Sequence, residues 1–388
     1  MRLAFQLAYK NLMGAGLRTW LNVGILAFTF IVIIFFNAYL EGWNLQAQRD
    51  SVKWEYGQGQ LRHQAYDPLD PFTLTDAHAA YTGMQGNYLT PVLIQQASIY
   101  PENRMVSIVL KGIDPLQEVS ALPTTSLRNE EYALAAIIGR RMAKTNKLAP
   151  GDELLLRWRD KNGTFDATTL TIVDIFKTDV GSVDHGQVWI DIAQLWEMTG
   201  LAEEATYYIA DKNFQVTSDE APWTFHNKKM LLKQLTDIIE MKSASSSILY
   251  ALLLGIALLA IFDTQVLSIF RRQKEIGTYI ALGMTRWQVV QLFTVEGSMY
   301  SIFASLVGLL IGAPIFYYFA SAGIGMPDYA KDVDMGISIA QRIYPAFSVQ
   351  LLLGTIGLVV VAATIVSFIP SRKIAKMDPV SAIKGKIQ

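Results

Sequence analysis

Apolar and polar positions fall in long blocks along this chain. Four stretches hold no charged residue for long enough to cross a bilayer, which takes roughly 20 apolar residues in helix. They are 19–40, 243–262, 298–327 and 343–371. The second continues through the apolar TQVLSIF beyond Asp263 to Phe270, where the charged run RRQKE begins. Between the first and second spans lies the mostly polar stretch 42–242. The pattern predicts a membrane protein with four transmembrane α-helices, one plus three, and a large α+β extracytoplasmic domain between the first and second. The expected order is an amphipathic interfacial helix at 1–18, spans at 19–41, 243–270, 294–320 and 346–370, a domain at 42–242, a cytoplasmic loop at 271–293, a short outer loop at 321–345 and a cytoplasmic tail at 371–388.

Within 42–242 the period changes. MVSIVLKG, GDELLLRW, TTLTIVDIF and GQVWID are β-branched or aromatic-rich runs bounded by Gly, Asp and Pro, and so read as strands, while 131–147 and 228–242 have helical spacing. The second of these helices leads into the second span with no Gly or Pro, so domain and span are expected to move as one lever.

Charge sets the orientation, because Lys and Arg near span ends stay cytoplasmic. The formal net charge of -1 conceals an asymmetry. Residues 1–18 carry Arg2, Lys10 and Arg18 with no acid; 271–293 carries Arg271, Arg272, Lys274 and Arg286 against Glu275; the tail sets five bases against Asp378. Acids outnumber bases in 42–242. Both termini are therefore expected in the cytoplasm and the large domain outside. The first apolar stretch exceeds the usual signal-peptide core and runs into NAYLEGW without a small-x-small site, so it reads as a retained anchor.

Candidate chemistry is sparse. With no cysteine, disulfides, Cys-ligated metals and thiol nucleophiles are excluded. No strongly basic domain is present, so no nucleic-acid partner is expected. His63, His78, His185 and His226 show no H-x-x-x-H or H-E-x-x-H spacing, and no metal site is expected; solvated or capping roles suffice. Asp184-His185 lies in GSVDHG without a G-x-S-x-G elbow and reads as a tight turn. The neighbouring acids Glu130-Glu131 and Glu203-Glu204 read as exposed faces. Asp263 and Glu296 sit near the cytoplasmic ends of spans, close in sequence to Arg271, Arg272 and Arg286, and structural pairing is expected over proton coupling. Gly308-LLI-Gly312 offers a small-xxx-small helix contact.

The densest signal is RRQKEIGTYIALGMTRWQVVQLFTVEG at 271–297. Gly283 breaks one helix, and Thr285 and Gln288 are spaced as a T-x-x-Q capping box that starts a short helix with Trp287, Val289, Val290, Leu292 and Phe293. An amphipathic helix with an Arg and a Trp at its tip suits a partner's groove, or equally a linker resting on headgroups.

This stretch, with IPSRKIAKMDPVSAIK at 369–384 and the one-plus-three layout, resembles the FtsX/MacB-type ABC transporter permease domain. KGIDP at 111–115, IGRRMAKTNKLAPGDELLLRWRDKNG at 138–163 and TIVDIFKTDVGSVDHGQVWIDIAQLWEMTG at 171–200 are similar to lipoprotein-releasing permeases of the LolC/LolE type.

The resemblance implies a non-catalytic permease subunit. No G-x-x-x-x-G-K-[ST] occurs in the sequence, so ATP and Mg are expected on a separate ABC ATPase and no cofactor on this chain. The ATPase pair would grip the element holding Glu275, Gly283, Met284, Thr285, Arg286, Trp287, Gln288 and Leu292, tilt a dimer made with a second permease copy or paralogue, and pass the stroke to the outer domains, a mechanism called mechanotransmission. The implied cargo is an envelope lipoprotein handed to an extracytoplasmic acceptor. Ile31, Ile34, Phe35, Phe36 and Tyr39 of the first span, with Ile248, Leu249, Leu252 and Leu253 of the second, are the candidate acyl-chain cleft; the bland alternative is that they face lipid. Two other roles stay open, MacB-like efflux of peptides or toxins and FtsX-like signalling to an envelope hydrolase.

Overall fold

The computed structural model describes residues 16–83, 88–129, 131–215, 221–325 and 342–376. In chain order the main elements are α1 (Gly16–Ser51), β1 (Gly59–His63), β2 (Leu89–Ile99), β3 (Val106–Ile113), β4 (Ala135–Gly139), α2 (Arg140–Asn146), β5 (Glu153–Arg159), β6 (Phe165–Phe176), β7 (Gln187–Asp191), α3 (Ile192–Thr199), β8 (Tyr207–Ala210), β9 (Trp223–Asn227), α4 (Lys233–Arg271), α5 (Gln273–Ala281), α6 (Arg286–Ala322) and α7 (Val349–Ser371). They divide into a helical unit (Met1–Gly42, Ile239–Ile324, Ile343–Gln388) and a β-rich unit (Trp43–Ile238, Gly325–Arg342).

In the β-rich unit the sheet closes on itself. The strand order is β3-β7-β4-β6-β5-β2, and β2 pairs again with β3, which completes a barrel; β8, β1 and β9 extend it from β2. β2 can serve three partners because it is long. Val92–Ile99 face β3 along one edge, while on the other edge Leu89–Val92 pair with β8 and Ala97–Ile99 with β5. Side chains two apart share a face, and every barrel strand sends such a set inward: Leu93, Ala97 and Ile99; Ile108 and Leu110; Ala136 and Ile138; Leu154, Leu156 and Trp158; Leu170 and Ile172; Val188 and Ile190. Met142 of α2 and Leu195 of α3 join that core. The alternate positions Val92, Ile94, Ile113, Ile137, Trp189 and Ile209 form a second core on the outer face. Each such residue, fully buried, contributes about 1.5–3 kcal/mol.

The expected helix over 131–147 is corrected here. Residues 135–139, AAIIG, are β4, and only Arg140–Asn146 is helical. β4 lies between β6 and β7 and is buried on both faces, so it lacks the polar alternation that marks a half-exposed strand. The expected helix over 228–242 is interrupted as well, at Leu232, between a short turn Lys228–Leu231 and α4.

The helical unit contains four helices long and apolar enough to cross a membrane, α1, α4, α6 and α7, the first and last extended slightly by adjoining turns. Val23, Leu26, Phe30 and Ile34 of α1 pack with Ala257 and Ile261 of α4, Met299, Tyr300 and Ala304 of α6, and Val359 and Ala363 of α7. Small residues permit close approach. A Cβ on Gly308 would meet Phe30 at 2.7 Å and one on Gly312 would meet Ile31 at 3.3 Å, so the small-xxx-small face of α6 receives α1 of the same chain. Polar ties add to this: Asn22 Nδ2 donates to Thr264 Oγ1, joining α1 to α4. α1 also runs further than a bare span, through EGWNLQAQRDS to Ser51. The expected interfacial helix at 1–18 falls largely outside the described residues, as do most of the short outer loop at 321–345 and the tail from 377 onward.

Candidate functional site

The turn between α4 and α6 is built from two short runs that pack back on the bundle. α5 (Gln273–Ala281) ends as the chain turns through Leu282 and Gly283, whose φ of 97° is a conformation favoured by glycine. Thr285 then caps α6: its hydroxyl accepts from the Gln288 amide at 3.3 Å, and Gln288 Oε1 accepts from the Thr285 amide at 2.9 Å. This reciprocal capping box satisfies amide donors that a helix start leaves free.

The structure makes one correction in this element. Arg286–Leu292 is not a separate short helix; it is the opening turns of α6, which continues to Ala322. No proline interrupts 286–313, and Gly297 lies within the helix because neighbours require it there. A Cβ at Gly297 would fall on Ser367 of α7 and within 2.8 Å of Gln265 Nε2 of α4.

One face of these turns is packed. Val289, Val290 and Phe293 bury themselves against Ile269, Ile276 and Ile374, with Tyr279, Ile280 and Met284 at the edge. Leu292, grouped with the docking residues from sequence, is 2% exposed and belongs to the interior. The opposite face is open. Leu282 is 79% exposed and Trp287 54% exposed, the latter meeting Phe368 edge-on at 5.9 Å. Arg286 is also exposed, with Nη1 donating to the Ala375 carbonyl at 3.2 Å. The tip therefore presents Leu282, Arg286 and Trp287 on a support anchored on three helices.

Arg272 fastens that support, a role the sequence indicated only as one of three possible partners. Its Nη1 donates to both oxygens of Glu296 at 2.9 Å, its Nε to Glu275 at 2.7 Å, and its guanidinium lies 4.9 Å from the Phe293 ring centre. The Glu296 side chain is 8% exposed, and an ion taken from water to such a place is tolerated when a partner fully meets it. Glu275, a candidate contact from sequence, has its carboxylate engaged by Arg272.

The candidate cleft residues separate. Ile34 lies in the bundle core, with Ile31 and Phe35 packed against it, so it is corrected from cleft wall to interior. Phe35 meets Phe319 edge-on at 5.3 Å. Phe36, Ile248, Leu249 and Leu252 are exposed, while Tyr39 and Leu253 are half-buried. Ile248, Leu252, Ile256 and Leu259 recur at helical spacing and form an apolar stripe along α4.

Elsewhere, His78 Nδ1 meets Glu204 Oε2 at 2.5 Å, which engages one member of an acidic pair expected to be simply exposed. Asp184 is buried and holds the start of α2, accepting from the Arg141 amide at 3.0 Å. No group of three or more metal-ligating side chains occurs among the described residues.

One family model matches the part of the chain that holds this turn. The FtsX-like permease C-terminal family matches residues 247–379, which contain the whole turn just described. In this segment the chain is similar to the FtsX-like permeases. Similar proteins include the macrolide export ATP-binding/permease protein MacB of Marinobacter nauticus, 26% identical over 40% of this chain and 22% of that protein. The pyoverdine export ATP-binding/permease protein PvdT of Pseudomonas fluorescens is 28% identical over 33% of this chain and 17% of its own length. An uncharacterized ABC transporter permease of Bacillus subtilis, YknZ, is 23% identical over 57% of this chain and 50% of its own. The matched part of the chain thus spans half or less of each of these relatives.

Proposed function

We propose that this chain is the permease subunit of an ABC transporter, worked by a separate ATPase that docks on Leu282, Arg286 and Trp287. The observation that carries the proposal is the two-faced turn before α6. Its packed face and the Arg272–Glu296 pair hold it rigidly against three helices, while an exposed aromatic and a cation stand at its tip. A rigid support under an exposed aromatic-arginine pair is what a force-transmitting dock needs, because Trp and Arg dominate the energetics of protein contacts. In this reading both termini and the tip are cytoplasmic, 42–242 is extracytoplasmic in a bacterial inner membrane, and ATP and Mg bind the partner. Two permease copies serve an ATPase pair.

For cargo, the LolC/LolE-like blocks favour release of envelope lipoproteins, with Phe36, Ile248, Leu249 and Leu252 meeting acyl chains. The export named for MacB and PvdT favours efflux as the second reading.

The test is co-purification and stimulated ATP hydrolysis with the Walker-A-bearing subunit that accompanies the wild-type chain. Arg286→Glu and Trp287→Ala are expected to weaken both while leaving the thermal midpoint of the chain unchanged; an interface Trp often contributes more than ~2 kcal/mol. Wild-type binding and stimulation in both variants rejects the dock. Photo-crosslinking from Phe36 and Leu252 separates the cargo readings: lipoprotein adducts support release, soluble peptide adducts support efflux.

A further inference from the structure

The β-rich unit contains an open cavity of about 1150 Å³, and one of its walls is chemically unfinished. Lys111 follows Leu110 on β3. Leu110 points into the barrel, so strand alternation sends Lys111 to the outer face, where it lines the cavity. It is 4% exposed. Among the described residues no hydrogen bond or ion pair reaches its ammonium; its contacts are the ring faces of Trp189 at 4.9 Å and Tyr207 at 5.9 Å. The neighbouring charges are Glu55 and Arg62. Both already have local partners: Glu55 accepts from Ser182 Oγ at 2.9 Å, and Arg62 donates to Gln60 Oε1 at 2.7 and 2.9 Å. A buried ammonium with no counter-charge in direct contact, offset only by the field of Glu55, is costly, and natural interiors pair such groups or neutralise them.

The same cavity is lined by the phenols of Tyr56, Tyr66 and Tyr207 and by apolar Leu74, Ile94 and Val180. Around the cavity the bases Arg62, Lys111, Arg157 and Arg159 exceed the acids Glu55, Asp67 and Asp70 by one, leaving a single positive charge to be met. We propose that this cavity is a binding site for a small organic monoanion, a carboxylate with an apolar body, whose head sits on the Lys111 ammonium. The phenols supply further donors, and Leu74, Ile94 and Val180 receive the body. Burial drives the Lys111 ammonium below its usual range and the Tyr66 phenol up to about 12, so the phenol stays protonated and able to donate at neutral pH. This site stands apart from the ATPase dock and does not depend on it.

The test uses the full chain in lipid nanodiscs, with hexanoate and phenylacetate as probes. Acylation of each lysine by an amine-reactive acetyl ester is followed by peptide mass spectrometry. Either carboxylate, at several times its dissociation constant, is expected to slow acylation of Lys111 roughly fivefold, with exposed Lys147 unaffected. Hexanol and hexylamine at the same concentration are expected to do nothing. Absence of protection by both carboxylates, equal protection by hexanol, or equal protection by inorganic phosphate overturns the proposal. Lys111→Met gives an independent reading: the unliganded thermal midpoint is expected to hold or rise while the shift caused by hexanoate disappears. A lowered midpoint with the hexanoate shift intact would show that Lys111 is a packing residue and that the site is not there.

Discussion

In the helical unit, buried Glu296 receives two hydrogen bonds from Arg272, which also holds Glu275. In the β-rich unit, Lys111 is buried as deeply and, among the described residues, its ammonium meets aromatic faces and a cavity. The contrast separates two uses of a buried charge. A paired one adds rigidity at a joint, since removing either partner strands the other. An unpaired one that faces open volume costs stability, and in our proposal an entering anion meets it. In the readings proposed above, the first suits a turn that carries force and the second a wall that recognises a solute.

The largest expected effect breaks the paired case. Glu296→Ala leaves Arg272 with only the exposed Glu275, and the chain is expected to lose about 3 kcal/mol, read as a lowered thermal midpoint in detergent. A change below about 0.5 kcal/mol, the usual range for surface substitutions, would mean the pair is not a fastener. Thr285→Ala removes the cap of α6 and is expected to cost about 1 kcal/mol. Hydrogen exchange in the first turn, residues 286–289, should rise with it; unchanged exchange would place the rigidity elsewhere.

The smaller effects sharpen the contrast. Replacing both members, Arg272→Met with Glu296→Leu, is expected to recover most of the loss, leaving a net change within about 1 kcal/mol, because buried ion pairs exchange with apolar pairs at little cost. A double variant as weak as Glu296→Ala would show that the contacts of Arg272 to Glu275 and Phe293, and not its pairing with Glu296, carry the stability. Lys111→Met is expected to be neutral or stabilising in the unliganded chain, by up to about 1 kcal/mol, the opposite sign to Glu296→Ala.

The two regions also differed in how readily they could be read from the sequence. Long charge-free stretches identified α1, α4, α6 and α7, because a helix that must satisfy a bilayer has little freedom in composition. Their ends were harder. α1 continues through a polar run that reads as the start of a domain, and α6 begins at Thr285, where the capping box was visible while its continuity into the span was not. The barrel was much less legible. AAIIG of β4 is buried on both faces and mimics helix, and β2 lies in a region whose pairing with β3, β5 and β8 depends on residues far away in sequence. The Gly283 turn and the Thr285 cap could be named from spacing alone, whereas the docking role of Arg286 and Trp287 came from the resemblance. Leu292 and Ile34 were assigned to surfaces and proved interior, because helical spacing places residues on a face without saying what covers it. For Lys111 the available signal was a lone cation inside the β-branched run SIVLKGI, opposite Leu110 in the alternation.

The claim that the tip is an ATPase dock is tested most directly by site-specific photo-crosslinking from position 282 in intact cells. Leu282 is among the most exposed apolar side chains of the helical unit and takes no part in its packing, so a benzophenone side chain there leaves the fold intact. The account predicts a covalent adduct to a Walker-A-bearing protein, reduced at least severalfold when Trp287→Ala is combined with it. Adducts to lipid alone, with the ATPase still co-purifying, would contradict the dock and place the coupling contact elsewhere on the chain.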